Sequence, residues 1–224
     1  VVLKDVDIDQ AVNAAAFGAL FHQGQVCMAL NRILVPDEIH DDFVDALVKK
    51  VKNLKVGNPS DPEVFIGPII NASQIEKIEN YVEETIKQGA KVVLEGKTEG
   101  SIVHPWILTD VTNDMPTACN EVFGPVISII RTKSEEEAIA IANDTIYGLS
   151  GSVLTKDIYH GMEVAKQIKS GMVHVNDQSI NDEPHVMFGG EKASGLGRFN
   201  GEWVINKFTT DRWISVLFNE RKFF

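Results

Sequence analysis

Cysteine is scarce in this 224-residue chain, which has only Cys27 and Cys119. That excludes a scaffold stapled by several disulfides. Positive charge is in deficit as well: 21 Lys and Arg against 32 Asp and Glu leave a formal net charge of −11. The resulting field repels nucleic-acid phosphates and acidic lipid headgroups, so neither nucleic acid nor a membrane surface is an expected partner. No apolar run approaches the ~20 residues of a membrane span, and no basic, apolar leader opens the chain. A cytoplasmic location is the expectation. Six histidines, at 22, 40, 104, 160, 174 and 185, stand without a cysteine or carboxylate at a ligand spacing, so no metal site is expected. An initiator methionine is also lacking, and Val1–Leu3 reads as the end of a strand, as in a piece of something longer.

What is present describes an ordinary globular chain, 44% hydrophobic and 24% charged. A chain of this length buries roughly 70% of its unfolded surface and needs no staple. Asp7 can cap a helix with Ile8, Ala11, Val12, Ala15 and Ala16 on one face. Arg32 to Val35 reads as a buried strand stopped by Pro36, and Asp37 opens an amphipathic helix through Phe43, Leu47, Val51 and Leu54. Ser73 to Gln88 reads as a helix closed by Gly89. Strands then follow at Lys91 to Leu94, Val126 to Ile130, Ser150 to Leu154 and Met172 to Val175, with helices at Ser134 to Asn143 and Asp157 to Ile168. This alternation predicts a layered α/β fold. Trp213 to Phe218 has no helix after it and reads as an edge strand. Gly195-Leu196-Gly197-Arg198-Phe199-Asn200 lacks the third glycine of a dinucleotide fingerprint and reads as a tight loop.

Cys27 lies in a glycine-containing turn between a helix and a strand, where a backbone can present one side chain to a cleft. A lone cysteine is more often a small buried hydrophobe, so its surroundings decide. Leu20-Phe21-His22-Gln23-Gly24-Gln25-Val26-Cys27-Met28-Ala29 resembles the active-site segment of the aldehyde dehydrogenases. Glu121-Val122-Phe123-Gly124-Pro125-Val126 is similar to that family's E-x-F-G-P-V motif. Tyr147 to Ser150, Gly171 to Asn176 and Phe188 to Arg198 resemble three further blocks, in the family's order, so the resemblance covers essentially the whole chain.

The resemblance implies an α/β/α catalytic domain over 1–211 with a mostly parallel sheet, and a strand of the oligomerisation region over 212–224. It implies Cys27 as the nucleophile, Glu121 on the nicotinamide ribose hydroxyls and Phe123 beside that end of the cofactor, NAD or NADP. The family's N-terminal nucleotide-binding domain, which carries an asparagine oxyanion donor and a general-base glutamate, has no counterpart here, so the isolated chain is expected to be inactive as a dehydrogenase. An aldehyde substrate and a homodimer or homotetramer are implied. The loop Asn181-Asp182-Glu183-Pro184-His185, with Lys192 to Gly195 and Phe208-Thr209 to Arg212-Trp213, looks most like members that oxidise aromatic aldehydes such as benzaldehyde, salicylaldehyde or vanillin. Two other readings stand beside this one. Cys27 could serve a cysteine hydrolase, activated by a histidine such as His22, or the chain could be a non-catalytic α/β module that assembles through its last strand.

Overall fold

The computed structural model describes residues 1–224. Strands β1 (Arg32–Pro36), β2 (Lys91–Leu94), β3 (Thr98–Glu99), β4 (Ile102–Val103), β5 (Trp106–Thr109), β6 (Val126–Thr132), β7 (Ser150–Val153) and β8 (Met172–Val175) alternate with seven helices. These are α1 (Ile8–Leu20), α2 (His40–Lys52), α3 (Ala72–Lys87), α4 (Pro116–Cys119), α5 (Glu135–Asn143), α6 (Ile158–Ala165) and α7 (Gly201–Phe208). The central sheet has the order β1–β6–β5–β2. β1, β6 and β5 run parallel, and β2 is antiparallel to β5. A second sheet pairs β7 with β8 in parallel. Residues 1–3 join the two. Val2 N–H donates to the Leu34 carbonyl, Leu3 N–H to the Leu154 carbonyl and Leu154 N–H to the Val1 carbonyl, all at 2.9 Å.

Strand alternation sorts the core into two layers. Ile33, Val35, Ile127 and Ile129 face α1 and α2, where they meet Ala15, Leu20, Phe43 and Leu47. Leu34, Leu108, Val126 and Ile130 point the other way, onto Ile78, Val82 and Ala138 of α3 and α5. This is the expected α/β/α arrangement. Four of the seven helices start at a capping residue: Asp7, Asn71, Ser134 and Asp157 each accept from the backbone N–H three residues on. Each such cap contributes about 1 kcal/mol.

The structure differs from the sequence reading in several respects. Strand β5 of the central sheet, the β3–β4 hairpin and α4 are additional to the elements read from the sequence. The helix from Asp37 begins as a 3-10 turn, Asp37–Ile39, before α2. Helix α7 starts at Gly201, directly after a stretch whose glycines suggest only a loop. Trp213 to Phe218, expected as an edge strand, lies outside regular structure and is exposed. A strand is defined by ladder bonds to a neighbour, and no strand of this chain reaches that segment.

Arg32 fastens the sheet to α5. Its guanidinium donates to the carbonyls of Ile141 (2.9 Å), Ala142 (3.2 Å) and Asp144 (3.4 Å) and to Asn113 Oδ1. These carbonyls lie at a helix C-terminus, where orphan acceptors and the negative end of the dipole favour a cation, although that of Ile141 also accepts from Asp144 N–H at 3.1 Å and that of Asp144 from Asn113 Nδ2 at 2.7 Å. Replacing Arg32 with Met removes every one of these donors. The expected result is a loss of about 2–4 kcal/mol in unfolding free energy, read as a lower urea midpoint at unchanged slope. A loss below about 1 kcal/mol would mean that water replaces the guanidinium at little cost.

His174, on β8, has a buried Nε2 with no hydrogen-bond partner. Burial pushes its pKa below the ordinary 6.5, against a smaller opposing pull from Asp177. The folded state therefore favours the neutral ring. Its contribution to stability is intact above pH 6.5 and is lost as pH falls from there through the lowered folded-state pKa, because the unfolded chain takes up a proton first. We expect His174→Gln to flatten the fall in urea midpoint between about pH 7 and pH 5. An unchanged slope would assign that acid sensitivity to other groups.

Candidate active site

Two loops enter the parallel neighbours β1 and β6 from the same edge of the sheet, because parallel strands place their N-termini together. The first loop is residues 21–31. His22 (φ 50°), Gln23 (φ 58°) and Gly24 (φ 69°) are three successive left-handed residues, a conformation costly for the first two. The chain then turns through Val26, Cys27 and Met28, closed by an Ala29 N–H bond to the Val26 carbonyl at 3.0 Å. Cys27 is exposed at this turn, and neither backbone nor side-chain acceptors of the chain engage its N–H.

The loop is tied down on several sides. Leu30 N–H returns to the Gly18 carbonyl at 2.9 Å, with the Leu30 side chain 3.0 Å from where a Cβ on Gly18 would lie. Gln25 Oε1 accepts from Ile70 N–H at 3.0 Å, and Ser179 Oγ donates to the Met28 carbonyl at 2.6 Å. The thiol therefore sits on a braced turn.

The second loop runs from α4 to Pro125. Glu121 is exposed, Phe123 is half-buried, and Phe123 is also left-handed, at φ 50°. The Glu121 carboxylate makes no hydrogen bond or ion pair, although its backbone carbonyl accepts from Lys77 Nζ at 3.0 Å. Gln74 Nε2 donates to the carbonyls of Val122 (2.8 Å) and Phe123 (3.0 Å). The two loops meet backbone to backbone: a Cβ on Gly24 would lie 2.3 Å from the Gly124 carbonyl oxygen, and one on Gly124 would lie 2.4 Å from Ile78 Cδ1.

The structure thus brings Cys27, Glu121 and Phe123 to one cleft of about 170 Å³, with Asn31, Arg32 and Lys169 also in its wall. Phe123 borders a second, open groove of about 700 Å³ against Gln25, Pro68, Ile70 and Gln74. His22 lines that groove, and no hydrogen bond joins its ring to the Cys27 thiol. No three His, Cys, Asp or Glu side chains gather as a metal-ligand cluster. Sequence reasoning missed Gln74, Lys77 and Asn31. The i, i+3 spacing of Gln74 and Lys77 puts them on one face of α3, but nothing in their identity says that the face meets a loop 44 to 49 residues later in the chain.

The profile of the "Aldehyde dehydrogenase family" matches residues 1–214. The chain is 51% identical over 216 residues to a vanillin dehydrogenase of Corynebacterium glutamicum, covering 96% of this chain and 45% of that protein. It is 52% identical over 223 residues to a benzaldehyde dehydrogenase of Bacillus subtilis, covering 100% and 46%. Among solved structures it resembles a salicylaldehyde dehydrogenase from Pseudomonas putida G7 complexed with salicylaldehyde, with TM-score 0.92, 40% identity, and 100% and 46% of the two chains covered. An aldehyde dehydrogenase of Mycobacterium tuberculosis complexed with NAD+ gives TM-score 0.89 and 40% identity, covering 93% and 44%. The chain therefore spans a little under half the length of the curated relatives it matches.

The glycine contact makes a sharp prediction. Gly24→Ala adds a methyl group at a left-handed residue against a backbone oxygen that no rotamer change can move. We expect a loss of about 2–5 kcal/mol in unfolding free energy, combining backbone strain and overpacking. Gly100, at a similar φ of 64° but with open space where a Cβ would stand, is the control. Equal losses for the two alanine variants would mean that the loop contact contributes nothing beyond local strain.

Proposed function

The chain belongs to the aldehyde dehydrogenase family, and from that premise we propose that it is the catalytic, Cys27-bearing portion of a cytoplasmic enzyme that oxidises an aromatic aldehyde to its carboxylic acid with NAD or NADP. The observation that carries this reading is the shared cleft of Cys27, Glu121 and Phe123. An aldehyde carbon does not readily expel hydride until a heteroatom has added to it. The Cys27 thiolate adds to that carbon, forming the C–S bond while the carbonyl π electrons move to oxygen. The unengaged N–H of Cys27 is placed to donate to this oxyanion, and loss of one such donor typically costs about 10² to 10³ in rate. Collapse of the adduct leaves an acyl thioester on Cys27, which water hydrolyses to the acid and the free thiol.

When bound, the nicotinamide cofactor supplies the acceptor for the departing hydride. The residues present suit that group. Glu121 offers a carboxylate with no partner in the chain, able to accept from two neighbouring ribose hydroxyls, and Phe123 offers a ring face beside it. Because the chain spans less than half of its relatives, we assign turnover to the whole protein and none to this portion alone. The relatives' names, a vanillin and a benzaldehyde dehydrogenase, support an aromatic substrate. The free thiols fit a reducing compartment. Exposed Phe208, Trp213 and Phe218 form apolar surface suited to self-association as a homodimer or homotetramer.

In the whole protein, benzaldehyde-dependent reduction of NAD or NADP is expected to fall by at least about 10³ in Cys27→Ser, while Glu121→Gln weakens nucleotide use and retains acylation of Cys27 by an activated ester. Undiminished turnover in Cys27→Ser would sink the nucleophile assignment. A clear preference for short aliphatic aldehydes over benzaldehyde would overturn the aromatic one.

A further inference from the structure

Four consecutive carbonyls, those of Asn120, Glu121, Val122 and Phe123, accept hydrogen bonds from side chains and from no backbone N–H. The segment that presents Glu121 and Phe123 thus has no ladder or helix of its own. On one side α3 holds it, through Lys77 on Glu121 and Gln74 on Val122 and Phe123. On the other side there is Asn31. Its Nδ2 donates to the Asn120 carbonyl at 2.8 Å and the Ala118 carbonyl at 3.1 Å, in a partly buried setting that favours the bonds over water. Asn31 stands four residues after Cys27 and immediately before β1, between Leu30, whose N–H bonds the Gly18 carbonyl at 2.9 Å, and Arg32, which pairs with β6. Apart from the glycine contact, this amide is the direct polar tie between the two loops.

We propose that Asn31 is a positioning residue for the nucleotide: by holding the Asn120 carbonyl, it sets where the Glu121 carboxylate stands relative to Cys27. The inference rests on the roles given above to Cys27 and Glu121. Without the amide, the Glu121 segment keeps its α3 contacts but loses its register against the nucleophile loop, and the carboxylate samples positions that no longer meet both ribose hydroxyls. The consequence falls on nucleotide affinity more than on the chemistry of the thiol.

The test uses the whole enzyme. Asn31→Asp preserves the shape of the side chain but replaces its two donors with a carboxylate that repels both carbonyls. We expect the KM for NAD or NADP to rise about tenfold while kcat at saturating nucleotide changes less than about threefold. Asn31→Ser, which keeps one shorter donor, is expected to give a smaller rise and serves if the aspartate variant does not fold. A nucleotide KM within about twofold of the parent in a soluble variant overturns the proposal whatever happens to kcat, since a merely structural loss of folded enzyme lowers kcat alone. Cys27→Ser and Glu121→Gln keep the two levels apart: an unmoved nucleotide KM in Glu121→Gln removes the premise about that carboxylate. Full turnover in Cys27→Ser removes the premise about the thiol, whereas lost turnover there, with a raised KM in Glu121→Gln and an unmoved KM in the Asn31 variants, removes only the role of Asn31.

Discussion

The contact between Gly24 and Gly124 is the constraint on which the site depends. With no Cβ on Gly24, the Gly124 carbonyl approaches to a distance that a side chain there would forbid, and with no Cβ on Gly124, Ile78 of α3 packs directly against that residue. Cys27 is three residues from one glycine, and Glu121 three residues from the other. Their common cleft is therefore a consequence of backbone approach and does not require the two side chains to attract one another. The parallel pairing of β1 with β6 makes the approach possible, because it brings both preceding loops to one edge of the sheet.

That placement departs from the usual rule for open α/β sheets, in which ligands sit beyond the carboxyl ends of parallel strands. Here the candidate residues precede their strands. Fold class alone points to the opposite edge, and only the motif residues direct attention to the loops at 21–31 and 116–125. Arg32 shows why these loops tolerate such a position. The residue that begins β1 also caps the C-terminus of α5, so the strand is anchored at the point where the loop ends.

Much of the fold is legible in the sequence because its determinants are local. Asp7, Ser134 and Asp157 cap the helices that their positions predict, and the apolar runs at Arg32, Val126 and Met172 are strands. What is not legible depends on partners distant in the chain. The antiparallel sense of β2 follows from the β3–β4 hairpin, two residues to a strand, which carries too little periodicity to be read. Trp213 to Phe218 has strand-like composition, but a ladder requires a neighbour. Asn31, Gln74 and Lys77 are ordinary polar residues whose importance lies in the carbonyls they meet.

Backbone strain is present in the cleft loops and elsewhere in the chain. Of seven non-glycine residues at positive φ, His22, Gln23 and Phe123 lie in the two loops that make the cleft, and Asp110, Asn176, Lys192 and Asn200 lie outside them; each costs on the order of 1–3 kcal/mol. A strained loop persists only where its surroundings over-determine it, and the cleft loops are over-determined by ties to α1, α3, the 67–70 segment and the loop at 179. Those ties leave the Cys27 thiol and the Glu121 carboxylate without partners while fixing nearly everything around them. A side chain that must bond an incoming reactant gains from this arrangement, because no internal hydrogen bond has to be broken first. The strain in these loops is thus a conformational cost of leaving the Cys27 thiol and the Glu121 carboxylate without internal partners on a braced backbone.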